Sequence, residues 1–205
     1  TPISGIEGDA AVSNAAVSAG SYTLSESGGP TGYTASTYSC VVNGGAPIAS
    51  NSLSLAPGDT ASCTITNNDT AARLTLLKSV VNDNGGTALD TAWTLEAAGP
   101  TPISGIEGDA AVSNAAVSPG TYTLSESGGP TGYTASAYSC VVNGAPAVAG
   151  NSLALASGDT AVCGITNDDA AATLTLDKTV VNDNGGTAAA ADFTLTATGP
   201  VTITG

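Results

Sequence analysis

Apolar and polar residues alternate along this chain in short runs. In Leu74-Thr75-Leu76-Leu77-Lys78-Ser79-Val80 the even positions are Leu, Leu, Lys and Val. In Thr121-Tyr122-Thr123-Leu124-Ser125-Glu126 the apolar set is Tyr122 and Leu124, with Glu126 next in register. Cys163-Gly164-Ile165-Thr166-Asn167 aligns Cys163, Ile165 and Asn167 in the same way. Successive side chains of a strand point to opposite faces, so a period of two predicts half-buried strands. Turn signals break the runs: Asn84-Gly85-Gly86, Gly99-Pro100, Pro119-Gly120, Gly128-Gly129-Pro130, Asn143-Gly144 and Ser157-Gly158-Asp159. No stretch carries a convincing helical period. The pattern predicts an all-β chain of antiparallel, Ig-like β-sandwiches.

The pattern also repeats. Residues 1–100 align with 101–200 without a gap and are identical at 76 positions, and Val201–Gly205 restarts the segment that opens at Thr1. A period this long is a whole domain. The polar runs Asn67–Ala72 and Asn167–Ala172 are the expected boundaries. One complete sandwich then spans 73–169, preceded in 1–69 by the C-terminal part of a unit and followed in 173–205 by the N-terminal part of another. So short a linker predicts a semi-rigid rod cut from a longer tandem array.

Composition adds that each unit is poorly supplied for a core. Aromatics are 4% of the chain, and Met and His are absent. Small domains of this kind often depend on cross-links. Four cysteines form two pairs of equal spacing, Cys40/Cys63 and Cys140/Cys163. An even count at repeated spacing predicts one disulfide per unit and an oxidising, extracellular setting. Without His or Cys-x-x-Cys, no zinc site is expected, and no Ser–His or Cys–His catalytic pair can form. Seventeen acidic residues stand against Arg73, Lys78 and Lys178, a net charge of −14. That excludes nucleic acid and anionic membrane surfaces as partners and favours solubility and repulsion between chains.

Three strands end their inward faces on a polar group. Lys78 follows Leu74 and Leu76, while the opposite face, marked as wet by Asp177 in the copy, carries Leu77. Glu126 follows Leu124, and Asn167 follows Ile165. Buried polar groups require partners. These residues also carry a resemblance. Leu74–Lys78 resembles the opening strand of CnaB-type domains, the transthyretin-like (prealbumin-like) modules of bacterial surface proteins and pili. Tyr122-Thr123-Leu124-Ser125-Glu126, followed by Pro130-Thr131-Gly132-Tyr133, is similar to that family's central motif, and Ile165-Thr166-Asn167 to its last strand.

The resemblance implies an intramolecular isopeptide bond, in which the Lys78 amine attacks the Asn167 side-chain amide, releases ammonia, and is assisted by Glu126. An amine attacks only when neutral, burial favours neutral forms, and a neutral Glu126 could donate to the Asn167 carbonyl. Glu26 and Asn67 hold the equivalent places in the first partial unit, and Lys178 in the last, with their partners outside the fragment. The chemistry is a single self-modification, so no enzyme is expected. A buried Lys–Glu ion pair bonded to Asn167 satisfies the same groups without a covalent bond.

Remaining signals are weaker. Asn82–Gly86 and Asn182–Gly186 lack EF-hand spacing, so a hairpin turn is expected in place of calcium at Asp83/Asn84 or Asp183/Asn184. Glu107 and Asp109 read as an exposed turn. The expected function is a structural repeat of an extracellular bacterial stalk or pilus-like filament whose partners are copies of itself. A carbohydrate- or protein-binding adhesin module is the alternative. It requires an exposed aromatic platform, whereas Trp93 and Tyr122 fall on inward faces.

Overall fold

The computed structural model describes residues 2–200 and 203–204. Nearly every element is a strand. The first partial unit holds β1 (Gly20–Thr23), β2 (Tyr33–Ala35), β3 (Ser39–Val42), β4 (Ile48–Ala49), β5 (Ser52–Leu55), β6 (Ala61–Thr64) and β7 (Asn67–Asp69). The central unit holds β8 (Ala72–Val81), β9 (Trp93–Ala98), β10 (Ile103–Gly105), β11 (Ala115–Val117), β12 (Gly120–Gly128), β13 (Tyr133–Ala135), β14 (Ser139–Val142), β15 (Val148–Ala149), β16 (Ser152–Leu155) and β17 (Thr160–Asp169). The last segment contributes β18 (Thr196–Ala197) and β19 (Ile203–Thr204).

The central unit is a β-sandwich. One sheet runs β10-β9-β12-β16; the other runs β11-β8-β17-β14-β15, with β13 paired to β17. All pairs are antiparallel except one: β8 and β17, the first and last strands, lie side by side in parallel, with Lys78 opposite Ile165 and Val80 opposite Asn167. Joining parallel neighbours requires a long crossover, and here the rest of the domain supplies it. The alternating strands bury one face each. Leu74 and Leu76 of β8, Leu95 and Ala97 of β9, Tyr122 and Leu124 of β12, and Ile165 of β17 meet in one core between the sheets. Leu77 is exposed, as its wet-face parity requires.

Two local expectations are corrected. Asn82–Gly86 is not a hairpin turn, because β8 and β9 belong to different sheets. The segment instead crosses between sheets and folds onto Asp169, whose carboxylate accepts the N–H groups of Asn84 at 3.0 Å and Gly86 at 2.6 Å. Nor is Glu107 idle in an exposed turn. It is half-buried, and its carboxylate accepts the backbone N–H of Lys78. β11 pairs only with Ala72–Leu74, so past its end the edge of β8 needs another acceptor, and Glu107 provides it. Asp109 does hold its own turn, accepting Ala111 N–H at 3.0 Å.

Both disulfides are formed. Cys140 pairs with Cys163 and Cys40 with Cys63, each linking directly opposed residues of antiparallel strands with Cα atoms 4.0 Å apart.

Candidate functional site

Lys78, Glu126 and Asn167 meet at one end of the core. β8 and β17 present Lys78 and Asn167 from one sheet, and β12 presents Glu126 from the other. The Lys78 side chain is fully withdrawn from water and that of Glu126 nearly so; Asn167 is buried as well. Lys78 Nζ donates to Glu126 Oε2 at 2.7 Å, and Asn167 Nδ2 donates to Glu126 Oε1 at 2.7 Å. One carboxylate thus touches both the amine and the amide. Asn167 Oδ1 is buried without a hydrogen-bond partner. Glu126 therefore faces the amide nitrogen of Asn167 and not its carbonyl oxygen, the contact anticipated from the sequence.

The walls of the site are aromatic. The Trp93 ring lies 4.8 Å from Lys78 Nζ, an arrangement that favours a cation over the ring face. Tyr133 packs edge-on against Trp93 with centroids 5.4 Å apart. Gly129 is confined by this packing: a Cβ there would fall 2.1 Å from Trp93 Nε1. Tyr138 donates to Ser125 O at 2.9 Å. Burial, and then the charges of Glu126 and Glu96, push its phenol well above the ordinary tyrosine value, so it remains a neutral donor. From parity Trp93 read simply as core; its seat over the amine depends on the crossover from β8 to β9, which alternation does not encode.

The partial units hold parts of the same arrangement. Asn67 Nδ2 donates to Glu26 Oε2 at 3.1 Å. Lys178 Nζ lies 4.5 Å from the ring of Phe193, which replaces Trp93 in the copy. The structure does not bring Lys178 to Glu26 or Asn67.

Asp83, Asp168 and Asp169 also converge, their carboxylate oxygens within 4.8 Å of one another. Asp169 spends its lone pairs on the loop. Burial pushes its carboxyl up, but N–H bonds from Gly86, Asn84 and Asp83 and a bond to the Asp83 side chain outweigh that, holding it below the ordinary value of 3.8.

Comparison with known proteins agrees with this architecture. The prealbumin-like fold domain family matches residues 1–65, 69–165 and 169–205. The chain belongs to that family. Among solved structures it is similar to the major pilin proteins T3.2 and T-13 of Streptococcus pyogenes. The first is 15% identical, covering 74% of this chain and 68% of that one with a TM-score of 0.37. The second is 15% identical, covering 76% and 69% with a TM-score of 0.38. No curated protein sequence matches the chain.

Proposed function

We propose that the chain is a structural repeat segment of an extracellular bacterial stalk or pilus-like filament, in which each complete unit is stapled by its disulfide and by a Lys78–Asn167 isopeptide bond. One observation carries the second staple: Glu126 contacts the nucleophile and the leaving group at once, 2.7 Å from each. In the reaction, the neutral Lys78 amine adds to Cγ of Asn167. The Cγ–Nδ2 bond breaks, and the nitrogen leaves as ammonia. Starting from the ion pair, Glu126 Oε2 first takes the ammonium proton of Nζ and frees the amine. Its carboxyl then passes a proton to Nδ2 and takes the second one that Nζ sheds, so ammonia leaves, Glu126 ends protonated and no outside acid or base is needed. The buried site supplies proximity and excludes the water that would hydrolyse the amide.

The topology gives the bond its use. Lys78 and Asn167 sit on the first and last strands, which are adjacent and parallel. A covalent bond there carries tension from one unit to the next without loading residues 79–166. Tandem repetition, the disulfides and strong negative charge all suit an extended, oxidised, surface-exposed array of like units.

The test is the intact mass of the reduced chain. One ammonia missing, restored by Lys78→Ala, Asn167→Ala or Glu126→Ala, supports the bond. The full calculated mass in the unsubstituted protein overturns it and leaves a buried ion pair.

A further inference from the structure

Between the first and central units the chain makes contacts outside the core of the central sandwich. Thr70 lies in the linker between β7 and β8. Its N–H donates back to Gly32 O at 2.8 Å, a bond inside the first unit that Ala170 and Gly132 repeat, and its carbonyl accepts from Gly158 N–H at 2.8 Å, the contact that crosses the junction. Arg73 N–H donates to Asp159 O at 2.7 Å, the first rung of the β8–β17 ladder, so the linker enters the central sandwich directly beside the Gly158 turn. Above it the turn around Gly32 presses on the turn around Gly158. A Cβ on Gly32 would lie 2.1 Å from the carbonyl oxygen of Ser157, and a Cβ on Gly158 would lie 3.1 Å from the Gly32 Cα.

We propose that these turns form a clamp: the Gly32 turn of one unit seats on the Ser157-Gly158 turn of the next, with Thr70 hydrogen-bonded to both, and consecutive units are thereby held at one angle. The partner this surface fits is the neighbouring repeat. The inference deepens the filament reading and rests on it for its use, since a rod transmits tension along its axis only if its joints do not swing.

The repeat supplies an internal control. Gly132 matches Gly32 in backbone, with φ of +89° against +85°, yet a Cβ there meets nothing within 4 Å. Gly158 and Gly58 are matched likewise, at +77° and +86°, and again only the junction member has neighbours. Within residues 1–205, glycine at position 32 therefore meets two demands, a positive φ and a close approach; the turn that would receive position 132 lies a period further on, outside these residues, so there the φ alone acts and the comparison isolates the contact. The receiving turn is stiff, because Asp159 accepts from Ala156 N–H at 2.7 Å and from Asn143 Nδ2 at 2.7 Å. Backbone pressed on backbone has no rotamer with which to yield, which is why such a contact fixes an angle.

The experiment is a spin-label distance measurement by pulsed EPR on the full chain, with labels on genetically encoded keto residues at Ile48 and Val148, equivalent positions that are 60% and 70% exposed. A single narrow distribution is expected in the parent, broadened or displaced by Gly32→Ala and unchanged by Gly132→Ala. A narrow parent distribution left intact by Gly32→Ala overturns the clamp but spares the rod. A broad distribution in the parent overturns both. Hydrogen exchange in the unsubstituted chain is a second measurement that survives any folding defect of the variants. The Gly158 amide should exchange about tenfold more slowly than that of Gly58, the effect of one sealed hydrogen bond; equal rates overturn the clamp.

Discussion

Lys78 owes its burial to β8, whose alternate residues Leu74 and Leu76 continue the same inward face. Among the described residues Glu126 is the one hydrogen-bond acceptor of its amine. Removing one member of a buried pair leaves a polar group stranded in the core and costs about 3–5 kcal/mol, whereas replacing both with apolar residues of similar volume costs far less. Glu126→Ala is thus expected to show a lower urea unfolding free energy than Lys78→Met with Glu126→Leu, by up to about 3–5 kcal/mol. Neither variant can form the bond, so the comparison isolates the packing of the pair. Asp169 predicts a pH dependence. Its folded-state carboxyl lies below the ordinary value of 3.8, so its contribution is present above that value and is lost as pH falls through the folded value. Thermal melts should drop on acidification below about pH 4, and Asp169→Asn should flatten that slope while lowering stability at neutral pH.

At the scale of elements, strand length is set by partners. β8 runs ten residues because β11 and Glu107 cover one edge and β17 the other. Residues 172–181 differ from it only at Thr173, Asp177 and Thr179, yet form no strand, since no described segment pairs with them. Leu174 is correspondingly exposed, where Leu74 is buried. The Cys140–Cys163 disulfide ties β14 to β17 across 23 residues. Closing a loop of that length stabilises by about 3 kcal/mol in the chain-entropy picture. Cys140→Ser with Cys163→Ser should lose about that much in denaturant titrations while leaving the ammonia deficit intact, because the two staples act on different strand pairs.

For the whole molecule the parallel pairing of first and last strands decides how load travels. With the isopeptide in place, pulling on the chain termini should release no length from residues 79–166 of the central unit. In Lys78→Ala the same segment should extend as a discrete unfolding step, readable by single-molecule force spectroscopy. Reduction of the disulfide alone should release nothing, since Cys140 and Cys163 lie inside the shielded segment.

The repeat, the all-β class, the cysteine pairing and the inward parity of Lys78, Glu126 and Asn167 are properties of spacing along one chain, and alternation with identity at a period of 100 made them legible. The tertiary structure alone decided what spacing does not encode. It placed β8 parallel to β17, which needs the whole domain as a crossover, and it brought Trp93 over the amine. It also turned Glu107 into an edge acceptor for β8 and pressed Gly32 against Ser157. A period of two states which face a side chain takes; which other face it meets depends on how the sheets are stacked and how the units are joined.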